Sequence, residues 1–385
     1  MNNKHILVAP LNWGLGHATR CIPIIRALLS QHYKVTIASD GDALRLLIKE
    51  FPALPAISLP SYNILYPEKG KDFKKKLIKS IPSIRKTIYK EHKLLDHLID
   101  ELHIDGIISD NRLGLHTRKV PCVIVSHQLQ VLSGNTSWLS SALHRMYLHK
   151  FDECWVPDMD GKINLSGILG HPKKKLSIPT KYIGPLSRMI PKEEPILYDY
   201  IAVLSGPEPQ RSILEDSIVS LFKKTNGSLL IVQGKLSKEQ RIRKIDNRIE
   251  VVNYLTATAL EKAINQSKYV IARSGYTTIM DLAVMKKKVF FIPTPGQPEQ
   301  EYLAELLRTK KITPYCEQGN LSTKQLPKLK VYPGFEQGMD TYDLVQFFGL
   351  FERKGELRPY SQLALNIHSF FMRFNNMLHN REPQP

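Results

Sequence analysis

The chain has 385 residues, 42% of them hydrophobic, and a formal net charge of +18 from 54 Lys and Arg against 36 Asp and Glu. That length suggests about two domains of ~150 residues each, with enough apolar content for ordinary globular cores. The four cysteines, Cys21, Cys122, Cys154 and Cys316, lie far apart with no Cys-x-x-Cys pair. Their spacing argues against a disulfide framework and a zinc knuckle, and for a reducing compartment.

The first apolar run, "HILVAP", is too short for a secretory leader and runs into glycines, and no apolar run approaches the ~18 residues of a membrane span. A cytoplasmic protein is expected, able to sit peripherally at the inner face of a membrane. The basic balance favours a polyanion, an anionic membrane surface or phosphorylated ligands.

In chain order, strand-like runs rich in Val and Ile alternate with helical patterns: "HILVAP", "YKVTIAS", "IDGIISD", "PCVIVSH" and "ECWVPD". Between the first two, Ile22, Ile25, Leu28 and Leu29 keep helical spacing. Such alternation predicts a parallel sheet covered on both faces. The stretch "TKYIGPLSRMIPKEEPILYDY" has three prolines and mixed charge, and reads as a linker. Alternation then restarts with "IAVLSG", "SLLIVQG", "IEVVNY", "YVIARSG" and "KVFFIPTPG". The expectation is an α/β chain of two doubly wound, Rossmann-like domains: 1–184, a linker at 185–200, 201–360, and a C-terminal helix and tail at 361–385.

In open parallel sheets, ligands bind beyond the carboxyl ends of the strands. The first half places Asn12 to His17, Asp40, Asp110 and His127 there; the second places Ser205, Gly206, Gln233, Tyr254, Arg273 to Gly275 and Thr294 to Gln300. A glycine turn opening a helix is an anion site, because free N–H groups and the helix dipole both favour negative charge. The chain has neither Gly-x-Gly-x-x-Gly in its first turn nor a P-loop motif, so a dinucleotide site and a P-loop lose support. In "ARSGYTTIMD", Ser274-Gly275 closes a strand, Thr277 and Thr278 open a helix, and Asp281 lies along that helix within reach of a ribose.

These residues resemble the GT-B glycosyltransferases of family 28, which include the bacterial N-acetylglucosaminyltransferase that builds the lipid-linked peptidoglycan precursor. The carriers are "GLGH" (Gly14, Gly16, His17), "SGPEPQR" (Ser205, Gly206, Arg211), "ARSGYTTIMD", and Glu299-Gln300 followed by Tyr302 and Ala304. The likeness covers about residues 1–330. The chain departs from the family in having a single glycine in "SGPEPQR", Asp281 where the family has Glu, and Glu299 where it has Gln.

The resemblance implies two domains facing across a cleft. A nucleotide-diphosphate sugar, most simply a UDP-sugar, binds the second domain through Ser205, Gly206, Arg211, Tyr254, Arg273, Ser274, Gly275, Thr277, Asp281, Glu299 and Gln300. An acceptor, lipid-linked or part of a cell-envelope glycan, meets Gly14, Gly16 and His127. It further implies transfer of a hexosyl or N-acetylhexosaminyl group with inversion and without a cofactor.

Imidazole titrates near neutral pH, so His17 suits a general base, with Asp110 its rival and a plain helix-start role the alternative. Arg273 suits either a phosphate or a strand anchor. Asp158 and Asp160 form an Asp-x-Asp away from the donor half and read as a solvated turn, not a metal site. Lys69 to Lys93 hold ten Lys or Arg against two acids, a net of 10 − 2 = +8. Their apolar stripe suits either packing on the sheet or an anionic lipid surface. The readings to be separated from transfer are a UDP-sugar 2-epimerase on the same fold and a basic nucleic-acid binder. The basic run carries only Phe73 and Tyr89 for stacking, which argues against nucleic acid.

Overall fold

The computed structural model describes residues 4–62, 73–130, 144–235, 237, 239–336 and 339–352, with residues 73–80 described by their backbone alone. The expected C-terminal helix at 361–385 and the start of the basic run, 69–72, lie outside them. From Phe73 on, the backbone of that run belongs to one long helix, α3 (Phe73–Leu102).

The first sheet has seven parallel strands in the order β3-β2-β1-β4-β5-β6-β7. They are β1 (His5–Pro10), β2 (Lys34–Ser39), β3 (Ala56–Ser58), β4 (Gly106–Asp110), β5 (Cys122–Val125), β6 (Glu153–Val156) and β7 (Thr180–Tyr182). Helices α1 (Gly16–Ser30) and α2 (Gly41–Glu50) connect its early strands. The interior strands are buried on both faces, which is why they read as unbroken apolar runs without alternation.

The second sheet runs β10-β11-β9-β8-β12-β13. Its strands are β8 (Tyr198–Val203), β9 (Leu229–Val232), β10 (Ile242–Lys244), β11 (Ile249–Val252), β12 (Ser267–Ala272) and β13 (Lys288–Phe291). Only β10 is antiparallel. Its helices are α4 (Gln210–Phe222), α5 (Ala257–Asn265), α6 (Tyr276–Val284) and α7 (Pro298–Thr309), with the short α8 (Lys328–Val331) behind.

Both strand orders reverse at one place, between β1 and β4 and between β8 and β12. Such switch points open a crevice at the carboxyl ends of the strands. The turns "GLGH" and "SGPEPQR" leave β1 and β8, and Asp110 and Arg273 stand at or just past the ends of the neighbouring strands.

One apolar cluster is continuous through both halves, joining Ile6, Val8 and Ile25 of the first with Ile201, Val270 and Ile279 of the second. The three-residue strands β3, β7 and β10 are too short to carry a sequence signal. Leu344–Glu352 packs on the first sheet: Phe348 lies 5.8 Å from Tyr33 and 6.3 Å from Trp155, and a side chain at Gly106 would strike Phe351. Phe347, Phe348 and Phe351 supply the apolar surface for that return.

Candidate active site

The turn after β1 uses its glycines for two different reasons. Gly14 has φ +73°, a left-handed conformation that favours glycine. Gly16 is a close approach: a Cβ there would sit 2.8 Å from Thr277 Oγ1 of the second half. The Thr277 hydroxyl donates to the Gly16 carbonyl at 3.4 Å. The N-terminal ends of α1 and α6 therefore face one another, bringing "GLGH" and "SGYTT" together.

His17 and Arg20 sit one turn apart on α1 and reach the same carboxylate. His17 Nδ1 lies 2.8 Å from Asp110 Oδ1. Arg20 Nε donates to Asp110 Oδ2 at 2.5 Å, and Arg20 Nη2 donates to Oδ1. Arg20 and Asp110 are fully buried, while 12% of the His17 side chain is exposed. Burial would push the Asp110 carboxyl up, but Arg20 and His17 outweigh it and hold the group well below the usual carboxylate range. Burial, then the Arg20 charge, lowers His17 below its ordinary value against the pull of Asp110. An imidazole so placed stays neutral at physiological pH.

The second switch point is a set of backbone turns. Gly206 has φ +97°, and a side chain there would lie 3.5 Å from the Thr294 hydroxyl, which is buried without a partner. Ser205 is exposed beside it. The Ser274 hydroxyl donates to the Gln300 carbonyl at 2.7 Å, and Gln300 Oε1 accepts from Thr294 N–H at 2.9 Å. Gly275 caps α6 and Tyr254 stands half-buried at the β11 end. The N-terminal turns of α4 and α6 thus present N–H groups beside a polar turn, an arrangement suited to a diphosphate.

Residues 201–333 match the model described as the glycosyltransferase family 28 C-terminal domain. The chain is a glycosyltransferase of the GT-B fold, and its second half is similar to the family 28 C-terminal domain. An uncharacterized glycosyltransferase of Methanopyrus kandleri is 22% identical over 329 residues, covering 79% of this chain and 88% of that one. MurG of Acinetobacter baumannii has a TM-score of 0.51 at 14% identity, covering 85% of this chain and 90% of that one. Phytolacca americana UGT2, complexed with UDP-2-fluoro-glucose and pterostilbene, has a TM-score of 0.56 at 12% identity, covering 87% and 89%.

Several expected donor contacts of the glycosyltransferase have protein partners. The buried Arg273 guanidinium donates to the carbonyls of Ile292, Pro293 and Gln210 and to Gln318 Oε1, so it anchors the strand end. Burial pushes it down to about 10. Arg211 pairs with Glu208 at 2.7 Å and donates to the Gly234 carbonyl. Asp281 accepts from the Ser187 hydroxyl at 2.6 Å. Burial pushes its carboxyl up to about 6, although Ser187 and Arg188 pull the other way.

The Asp-x-Asp is not the expected solvated turn: Asp158 is buried and organises a loop, accepting from the N–H groups of Met159, Leu165 and Ser166 and from the Ser166 hydroxyl. Among the described residues, no group of three or more His, Cys, Asp or Glu is placed to hold a metal ion. No helix among them is long and apolar enough to cross a membrane.

Sequence reasoning missed Arg20, whose only signal is its position three residues after His17 on one helix face. It also missed that His127 and Glu299, placed on acceptor and donor sides, bond each other at 2.9 Å.

The raised Asp281 carboxyl carries a prediction. With a folded value near 6 and an unfolded one near 3.9, the group disfavours folding increasingly as pH rises between those values. Asp281→Asn should therefore raise Tm at pH 7–8 and leave it unchanged below about pH 4. A thermal melt series across pH checks this; a lower Tm at pH 8 would show that the carboxylate stabilises the fold.

Proposed function

We propose that the protein transfers a sugar from a UDP-sugar to an acceptor hydroxyl with inversion, and that His17, oriented by Asp110, is the general base. The observation that carries this reading is the His17–Asp110 contact at the first switch point, opposite the N-terminal end of α6. His17 Nδ1 lies 2.8 Å from both Asp110 Oδ1 and Arg20 Nη2, and the base reading takes the tautomer in which Nδ1–H donates to the carboxylate and Nε2 keeps its lone pair. That lone pair accepts the acceptor's proton as its oxygen attacks the anomeric carbon from the face opposite the diphosphate. The leaving diphosphate is stabilised by N–H groups at the starts of α4 and α6 and by the unpartnered Thr294 hydroxyl.

Asp281 receives the ribose. UGT2, the plant neighbour, holds a UDP-sugar analogue, which favours the same donor class here. The acceptor approaches the first half, where Leu129, His171, Lys175 and Tyr182 line a cavity of about 450 Å³. The basic stretch about α3 suits an acceptor carried on an anionic membrane.

Calorimetric titration with UDP-sugars tests the donor. Asp281→Asn should weaken the best of them by about 1–3 kcal/mol, through loss of charge-assisted ribose hydrogen bonds. An unchanged Kd would remove the ribose assignment. Turnover should survive EDTA, because the Asp158 oxygens are already engaged by N–H and O–H donors. Loss of activity restored by Mg²⁺ or Mn²⁺ would contradict that. Conversion of UDP-GlcNAc to its 2-epimer without acceptor would replace transfer by epimerisation.

A further inference from the structure

Glu299 lies in the first turn of α7, on the donor side, yet its carboxylate faces the first half. Glu299 Oε1 accepts from His127 Nε2 at 2.9 Å, and Oε2 accepts from the Gln128 amide. The other imidazole nitrogen, His127 Nδ1, lies 3.1 Å from Arg20 Nη1. A guanidinium only donates, so Nδ1 is the acceptor and the proton sits on Nε2, toward Glu299. The ring is held flat against Tyr276 of α6, with centroids 4.2 Å apart and planes at 4°.

Arg20 divides its donors: Nε and Nη2 go to Asp110, with Nη2 also 2.8 Å from His17 Nδ1, and Nη1 goes to His127. His17, Asp110, Arg20, His127 and Glu299 therefore form one hydrogen-bonded line through both halves of the protein. Besides the imidazoles it contains one cation, Arg20, and two carboxylates, Asp110 and Glu299. With both rings neutral its charge is −1. Burial would push the Glu299 carboxyl up, but His127 beside it and the Arg20 charge bring it below its ordinary value, so the carboxylate is ionised.

We infer that Glu299 is a positioning residue for the base: through His127 it fixes the Arg20 guanidinium against Asp110 and His17, so that the base is fully assembled only while the two halves are in contact. This rests on the reading of His17 as the base.

The groups facing His17 are Arg20 from its own helix, Asp110 at the end of β4, His127 after β5, and Glu299 from α7. Two of these favour its protonated form and two oppose it. Removing the Glu299 charge leaves the line neutral and weakens the hold on His127. Arg20 then bears on His17 with less compensation, and the imidazole becomes a weaker base.

Glu299→Gln keeps an oxygen for the His127 proton and removes only the charge. Its acid limb of kcat/KM should move to lower pH by about 0.5–1 unit. Its kcat should fall roughly fivefold to fiftyfold, with the donor Kd within about twofold of wild type. Glu299→Asp, which restores the charge, should recover part of both losses. His127→Phe keeps the stack on Tyr276 and cuts the line. Paired with Glu299→Gln, it should cost little more than either change alone.

A weaker donor Kd with an unmoved pH profile would make Glu299 a sugar contact and overturn the inference. Fully additive losses in the double variant would overturn it too. Failure of the underlying base reading appears separately, as a His17→Ala enzyme that turns over normally.

Discussion

His17→Ala should lower kcat by about 10²- to 10⁴-fold, the usual contribution of a positioned general base. The acceptor oxygen loses the group that takes its proton, while every turn that faces the donor stays in place. Because 12% of the side chain is exposed, truncation leaves a small gap at the crevice floor and not a core cavity. The fold should survive, and an unchanged melting curve should accompany the loss of turnover. In the wild type, burial and Arg20 place the imidazole below its ordinary value of 6.5, so kcat/KM should stay level through neutral pH and fall only under that value. A steady-state assay of UDP release across pH measures both effects. Turnover that barely changes in His17→Ala, with total loss in Asp110→Asn, would move the base to Asp110.

Asp110→Ala should be among the most destabilising single changes in the first half. It leaves the Arg20 guanidinium buried without its carboxylate, and breaking such a pair costs about 3–5 kcal/mol. It also frees His17 Nδ1 and the Cys21 thiol, which lies 3.7 Å from Asp110 Oδ2. The pH dependence has a definite sign. The folded carboxyl titrates below its unfolded value, so its contribution is present above about pH 4 and is lost as pH falls toward the folded value. Urea unfolding at pH 7 and again near pH 3 should show a wild-type-to-Ala difference that shrinks in acid. A constant difference would mean that packing, and not charge, is what the substitution removes. Asp110→Asn keeps the shape and isolates the charge.

The two-sheet plan was legible because parallel strands are buried on both faces. "HILVAP", "GIISD", "LLIV" and "YVIA" are therefore unbroken apolar runs, bounded by the small residues that turn the chain at a crevice. The same logic ranked Asp110 and His127 beside His17, since all three follow strand ends around the first switch point. What was not legible depends on distance in space. Nothing local marks Arg20 as the hub between Asp110 and His127. Nothing near Glu299 shows that a helix from the other half turns its carboxylate toward His127. Arg273 stands in a family motif, yet its four hydrogen bonds are made with residues 19 to 63 positions away, and these make it an anchor. The return of Leu344–Glu352 to the first sheet was hidden for the same reason: its phenylalanines would suit either core.

The proposed mechanism places proton chemistry beside β1 and β4 and donor binding beside β8 and β12. The most direct measurement is the Kd of one UDP-sugar, by isothermal titration, for wild type, His17→Ala and Asp281→Asn. His17→Ala should bind the donor within about twofold of wild type, while Asp281→Asn should bind it about tenfold or more weakly, as loss of a charge-assisted hydrogen bond requires. A hundredfold weaker Kd in His17→Ala with no change in Asp281→Asn would contradict that mechanism, placing the diphosphate at His17 and the ribose elsewhere.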